Sequence, residues 1–461
     1  MFWTRCKTKT AWSELASPLY ATPPPKGPAT HEFSPNYPII PLQKRVKFFT
    51  ASSALTNSVK LKLLLGLMLV LSHVAVAQAN EGDKKIADPS DSQNWSQNWS
   101  EGWKDRQKAL NATKQWLTHR QLSEHTLLTF YGQVNVGQLD YDDGFEHYSA
   151  VRNNQNSTSR IGLTAETEFD NGRSLVLNFE AAVPKTEKNS AVGSNIDNGN
   201  DDQWDKSLLR KAEGRLSFPQ VGFVSVGQGS MAADGITGFD FSGTTVVAAN
   251  SVGDTISGIP VRLADGTKTN TDVSDFYPNY DASRRLRVRF DSLPSGGLSW
   301  AASVGREVLT AGDDNTYADI AVRYETKWRG FGVKGGLGYA YNGDSPGFLS
   351  GSVAGLDDST GLNFAIATGG NTIGGKYIYG KVGIIRNIFR LGTTAFSADY
   401  YKSSSPLGGA SGSRSWGVAI VQKLDAQSME IYATYRDYSI DGAILQYADS
   451  KAILVGTRFS W

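Results

Sequence analysis

From Thr126 to Trp461 the chain consists of short stretches in which apolar and polar residues alternate, each closed by turn residues. A period of two marks strands with two unlike faces. Across 159–169, Ile161, Leu163, Ala165, Thr167 and Phe169 fall on one face, while Arg160, Thr164, Glu166 and Glu168 fall on the other. Leu286, Val288 and Phe290 likewise oppose Arg287 and Arg289. About sixteen such segments can be counted if the weak stretch 348–356 is accepted, an even number that puts both ends of the segment on one side of a barrel.

The connections fall into two sizes. Tight turns occur at Asp170-Asn171-Gly172, Pro219-Gln220-Val221-Gly222, Pro294-Ser295-Gly296-Gly297 and Arg329-Gly330. Between them lie long loops rich in Gly, Asn, Asp and Ser, notably 185–206 and 231–278. Short turns at one end and long loops at the other are the habit of membrane β-barrels. Alternation alone fits a soluble sandwich equally well, because both architectures have one apolar face. The rest of the chain has to decide between them.

Residues 60–79 supply the first deciding feature. Lys60-Leu61-Lys62 precedes an apolar stretch, 63–76, and then Ala77-Gln78-Ala79. A basic region, an apolar core and small residues at a cleavage point make an export signal, with cleavage expected after Ala79. The rival reading, a membrane anchor, suits the short core and its polar sequel less well. More than fifty residues precede the signal, so 1–58 is expected to be a misassigned or non-native extension ahead of a signal peptide at 59–79. Residues 80–125 are polar, carry the tandem Ser-Gln-Asn-Trp-Ser-Gln-Asn-Trp-Ser, and read as a periplasmic lead-in. Their tryptophans, Trp95, Trp99, Trp103 and Trp116, could instead mark a docking surface.

Composition narrows the chemistry. The only cysteine, Cys6, lies ahead of the signal, which removes disulfides and thiolate chemistry from the exported chain. No run after residue 80 approaches the roughly 18 apolar residues of a membrane helix, and the mean hydropathy is −0.33, so a helical membrane protein is excluded. Of the five histidines, His31 and His73 precede the cleavage point and His119, His125 and His147 cluster early; the long remainder has none. A barrel hydrolase built on a histidine base is therefore disfavoured. Gly227-Gln228-Gly229 lacks the lysine and helix of a phosphate loop. No cofactor, metal or nucleic-acid partner is expected.

Export, the long repeat and the missing cysteines favour an all-β transmembrane antiparallel barrel over 126–461. Here the sequence resembles the Gram-negative general porins, in their α-proteobacterial branch. Phe130-Tyr131-Gly132-Gln133-Val134-Asn135-Val136 looks like a first strand and Ser157-Thr158-Ser159-Arg160-Ile161-Gly162-Leu163 like a second. The stretches 223–230, 288–292 and 394–401 match as well, and Val455-Gly456-Thr457-Arg458-Phe459-Ser460-Trp461 resembles the closing strand read by the barrel-assembly machinery, with Phe459 and Trp461 as its signal. Trp461 stands where the family usually has Phe.

The resemblance implies an outer-membrane, water-filled diffusion channel for ions and small hydrophilic solutes, a homotrimer in contact with lipid and lipopolysaccharide. It also implies that the loop after the fifth strand, 229–243, folds into the barrel as a long inward third loop. Asp234 and Asp240 are then the acidic side of the constriction, unless either caps a local turn. Facing it, alternation offers Arg160, Lys211, Arg215, Arg285, Arg287 and Arg289, with Arg284 near the rim or at a bulge. The bland reading pairs these bases with Glu166, Glu180 or Glu213. Residues 126–461 carry 30 basic and 36 acidic side chains, which suggests mild cation preference or divalent bridging to lipopolysaccharide, although the narrowest point governs selectivity.

Two other channel readings remain. Tyr377, Tyr379 and Lys381 hint at the aromatic slide of a sugar channel, and Arg284 to Arg289 at the basic ladder of a phosphate channel. An adhesin or structural barrel is a third possibility. A TonB-dependent transporter would need a larger barrel and a plug domain.

Overall fold

The computed structural model describes residues 118–183, 206–343, 345–404 and 410–461. The expected extension 1–58, the expected signal peptide 59–79, the expected lead-in up to residue 117 and residues 184–205 lie outside these described residues. Twenty strands follow one another: β1 (His119–Ser123), β2 (Thr126–Asp142), β3 (His147–Asn153), β4 (Arg160–Glu168), β5 (Ser174–Ala182), β6 (Leu209–Phe218) and β7 (Gly222–Ser230). Next come β8 (Pro260–Arg262), β9 (Lys268–Asp272), β10 (Arg284–Ser292), β11 (Leu298–Arg306), β12 (Thr316–Trp328) and β13 (Phe331–Asn342). The series ends with β14 (Ser345–Asp357), β15 (Leu362–Asn371), β16 (Lys376–Phe389), β17 (Gly392–Ser404), β18 (Ala410–Leu424), β19 (Met429–Gly442) and β20 (Ser450–Ser460).

Each wall strand pairs antiparallel with the next, and β20 returns to β2 from Gln133↔Ser460 to Asp142↔Lys451. The result is a closed 16-strand barrel, in which β3 and β4 share one position and β8 and β9 form a separate hairpin. Closure matters because an open edge in lipid would leave backbone groups unpaired. The outer face carries the apolar half of the alternation: Leu286, Val288, Trp300 and Val304 are all exposed, while Arg287 between them is buried on the lumen side.

The weak stretch 348–356 is a full strand, β14. Its signal is muted because glycine and serine fill it. Gly351 lies so close to Gly336 that an added Cβ would meet its carbonyl oxygen at 2.4 Å, and Gly355 lies under the Phe364 ring. The tight turns gather at one end of the barrel. Arg329 and Gly330 both have positive φ and join β12 to β13 as a two-residue hairpin, the geometry that matches the right-handed twist of its strands.

The second expected strand starts later than the sequence implied. Gln155–Ser157 is a single 3-10 turn, and regular pairing with β2 resumes at Arg160. Asn154 caps this turn through the Asn156 amide, and its own side chain donates to the Val246 carbonyl of the third loop at 2.8 Å. The turn thereby leaves the wall and reaches into the lumen.

The third loop, 231–283, is much more than a short constriction. Val246, Val247, Val252, Ile256, Ile259, Val261, Val273, Phe276 and Tyr277 are all buried, packed against inward-facing Tyr141, Tyr401, Tyr432 and Tyr438 of the wall. The protein's apolar core therefore lies inside the barrel, between loop and wall. Burying side chains of this size stabilises the loop's seat by about 1.5–3 kcal/mol each. At the far end, β8 and β9 reach the loop 443–449, where Leu263 bridges Tyr447 and Ala448 N–H donates to the Arg262 carbonyl at 2.9 Å. Arg262 is itself buried against Asp143 at 2.7 Å, so the arm is tied to the first hairpin as well.

Candidate pore constriction

The start of the third loop is held by charged side chains of the wall. Arg289 on β10 donates to the Met231 carbonyl at 2.7 Å and to the Ser230 carbonyl at 3.2 Å, and pairs with Asp291 at 2.6 Å. Arg287 donates to the carbonyls of Ser230 and Gly227, each at 3.0 Å, and pairs with Glu213. Arg323 on β12 donates to the Ala232 carbonyl. From the same strand Asp319 accepts the Ala233 N–H at 2.7 Å and the Ala232 N–H at 3.1 Å. A chain turning away from its sheet exposes backbone donors and acceptors that must be matched, and these four side chains match them.

Beyond the stem, Ser352 donates to the Ile236 carbonyl at 2.7 Å and accepts the Phe239 N–H at 3.2 Å. The loop then meets β16. There the Lys381 ammonium, wholly buried, lies 2.7 Å from Asp240 and donates to Ser242 Oγ at 3.2 Å and to the Ala248 carbonyl. Asp240, expected as an open acidic charge, is thus neutralised against the wall, its side chain only 7 % exposed. Asp234 stays partly exposed. Asp281, at the loop's exit, accepts from Gly235 N–H at 3.1 Å and from Thr237 Oγ1 at 3.0 Å. Burial, and next the charge of Asp234, push its carboxyl up to about 7.

Across the lumen the bases converge. Glu180 accepts from Arg210 Nε at 2.5 Å, lies 3.9 Å from Arg160, and accepts the Tyr131 hydroxyl at 3.0 Å. Arg458 on β20 pairs with Glu430 at 2.5 Å and donates to Ser157 Oγ of the inward turn at 3.2 Å. Arg284 sits among Arg210, Asp234 and Glu180. Arg215 stacks over Phe223 at 4.1 Å, nearer the tight-turn end of β6. Arg285 stacks over Tyr317 at 4.1 Å, pairs with Glu307 at 3.1 Å and donates to Ser283 Oγ at the loop's exit. Lys211 stands opposite Glu180 in the β5–β6 register. Among the described residues, Lys211, Arg215, Arg284 and Arg323 form no ion pair with a carboxylate.

The expected bases therefore divide into three groups. Arg160, Lys211 and Arg284 join a cluster around Glu180; Arg287 and Arg289 clamp the loop stem; Arg215 and Arg285 stand apart. Sequence reasoning missed Arg210, Arg323 and Arg458. Arg323 and Arg458 alternate with Val322, Tyr324 and Phe459, so the period of two already placed them inward, whereas Arg210 faces Glu180 only because pairing shifts register between Glu180 and Ala181. The aromatic slide suggested by Tyr377, Tyr379 and Lys381 is not open to solutes. Tyr377 and Tyr379 are 3 % and 2 % exposed because the third loop lies on them.

Phe459 and Trp461 sit on the outer face at the tight-turn end, their rings 5.8 Å apart, with Phe130 6.2 Å from Trp461. Trp461 exchanges backbone hydrogen bonds with Gly132, at 3.1 and 3.3 Å. Its indole lies over Gly132, where a Cβ would come within 2.4 Å of the ring.

Comparison with known proteins places this geometry. Residues 121–443 match the Gram-negative porin family. No curated protein sequence matches. Among solved structures, the anion-selective porin from Comamonas acidovorans superposes with a TM-score of 0.50 at 14 % identity, covering 73 % of this chain and 100 % of that one. In-vitro folded OmpT of Vibrio cholerae gives 0.45 at 12 % identity, covering 74 % and 98 %. A mutant of the Rh. blastica porin gives 0.45 at 14 % identity, covering 72 % and 100 %. Likeness at such identity is likeness of fold; the family match extends over most of the chain. With its closed barrel, inward third loop and charged lumen, the chain belongs to the Gram-negative porins and is a diffusion porin of the outer membrane.

Proposed function

We propose that the channel passes ions and small hydrophilic solutes without strong discrimination, and that it prefers anions. The observation that carries this reading is the balance of charge at the narrowest zone. Arg160 and Arg210 share the single carboxylate of Glu180, Lys211 and Arg284 crowd around that same carboxylate, and Lys211, Arg284 and Arg323 form no direct ion pair among the described residues, so bases outnumber acids there. On the acidic side, Lys381 cancels Asp240, and the loop amides of Ala232 and Ala233 hold Asp319 on the strand that also carries Arg323. Selectivity follows the field where the lumen is narrow, so the acid excess of the whole barrel segment does not set its sign.

The physical role of the barrel is passive, and we assign it no catalytic step. Assembly as a homotrimer, insertion by the barrel-assembly machinery and contact with lipopolysaccharide are proposed on family grounds. The outer aromatic cluster of Phe130, Phe459 and Trp461 supports an anchor at the membrane interface.

Purified protein in planar lipid bilayers under a potassium chloride gradient tests the reading. Ohmic single-channel steps with a reversal potential on the chloride side are expected. A reversal potential on the potassium side would sink the anion preference, and absence of steps would sink the channel itself.

A further inference from the structure

A cavity of about 210 Å³ lies between the third loop, the inward turn of Asn156 and Ser157, and the wall residues Tyr379 and Arg458. We propose that this niche binds a small hydroxylated carboxylate, so that the porin retains such solutes in passage while other ions flow past. The proposal rests on the diffusion-channel reading and names a solute class for the same constriction.

The chemistry of the lining carries the argument. The niche is large enough for several water molecules, and so for a solute of comparable bulk. Its polar lining offers unused donors. Arg458 spends one terminal N–H on Glu430 and one on Ser157, and each of its two terminal nitrogens carries a second N–H. An occupant rich in acceptors would match these donors.

The charge balance selects an anion. The carboxylate that lines the niche, Asp240, is held by Lys381, whereas Arg458 retains donors for a planar carboxylate. The remaining wall suits hydroxyl groups and carbon: Asn250 donates to Thr237 Oγ1 at 2.9 Å and carries a second N–H and a carbonyl oxygen, the Thr237 hydroxyl gives its proton to Asp281, and Phe239 with Ala367 supplies apolar surface. A simple halide could use only the guanidinium, and a neutral sugar only the other groups.

Isothermal titration of the folded barrel in detergent, with gluconate, glucose and acetate as probes, tests this directly. Gluconate is expected to bind with a saturable isotherm, at least about tenfold more tightly than glucose or acetate. Arg458→Gln removes the charged donor, and Ala249→Leu fills the niche from the loop side; each is expected to weaken gluconate about tenfold. Heat-modified gel migration identifies variants that remain folded barrels, and the two substitutions act through unrelated chemistry. Equal affinity for all three probes, or unchanged gluconate affinity in both folded variants, overturns the proposal. A barrel that conducts potassium chloride but binds no gluconate defeats the niche alone, whereas one that binds gluconate but does not conduct defeats the diffusion reading alone.

Discussion

The ammonium of Lys381 on β16 and the carboxylate of Asp240 in the third loop lie 2.7 Å apart, both withdrawn from solvent. This contact joins loop to wall at a point 141 residues away in sequence. It decides that the loop lies against β16 instead of hanging across the lumen. Removing one partner of a buried pair leaves the other charge uncompensated, at about 3–5 kcal/mol. Lys381→Met should therefore loosen the loop, giving noisier and larger single-channel steps. Adding Asp240→Asn should restore quiet currents by removing the stranded charge.

Asp281 gives the channel a pH dependence near neutrality. Its folded value of about 7 lies above the ordinary carboxylate value of about 3.9, so its contribution to stability is full at acid pH and is lost as pH rises through 7. Asp234 repels its ionised form, while Arg323 on β12 attracts it. As pH falls from 8 to 5, one negative charge leaves the constriction and anion preference should rise. Reversal potentials measured across that range in wild type and Asp281→Asn check this; the variant should give a flatter curve. Asp254, also pushed up to about 7 by burial and then by Asp272, lies farther along the loop, and Asp254→Asn should leave the slope of selectivity intact.

Arg323 combines a charge with a backbone contact. It donates to the Ala232 carbonyl and faces the loop stem beside Arg289. Arg323→Gln should lower the chloride-to-potassium permeability ratio measured by reversal potential, with a modest loss of about 1.5–3 kcal/mol in the stability of the stem. A ratio equal to wild type would show that this cation lies off the ion path.

The terminal tryptophan has a steric partner. Gly132 leaves room for the indole of Trp461, and a Cβ there would meet the ring at 2.4 Å. Gly132→Ala should lower the yield of folded barrel, in line with about 1–3 kcal/mol of overpacking. Trp461→Phe should be tolerated alone and should rescue Gly132→Ala. The folded fraction on heat-modified gels reads all three variants.

Much of the barrel was legible because alternation is dense and the outward residues are large. Leu286, Val288 and Phe290 could only point one way. Arg458, which alternates with Phe459, needed no further information to be placed inward. The interior was harder to read. Asp234 and Asp240 look equivalent in sequence, and only the position of Lys381, far along the chain, makes one a buried ion pair. The reach of the third loop past Gly243 was also missed, although Val246, Val247, Val252, Ile256 and Ile259 are a poor composition for a solvated loop and signalled burial. The inward turn at Gln155–Ser157 takes in the residue at which the second strand was expected to begin. It is held by a network in which Ser159 bonds Asn135 of β2 and Asn153 of β3, while Asn154 bonds Val246 of the third loop.

Strand β2 has one further consequence, for the order of assembly. One edge of its 17 residues takes β4 and then β3, while the other takes β1 opposite Thr126–Thr129 and β20 opposite Gln133–Asp142. β1 and β20 run in the same direction, end to end, along a single edge. The earliest and latest described strands therefore meet on one template, and the ring seals only when β20 takes its place there. Joining β20 to β2 spans the largest sequence separation among the described strand pairs and is entropically the hardest of these contacts to form, so β2 acts as the keystone of the ring.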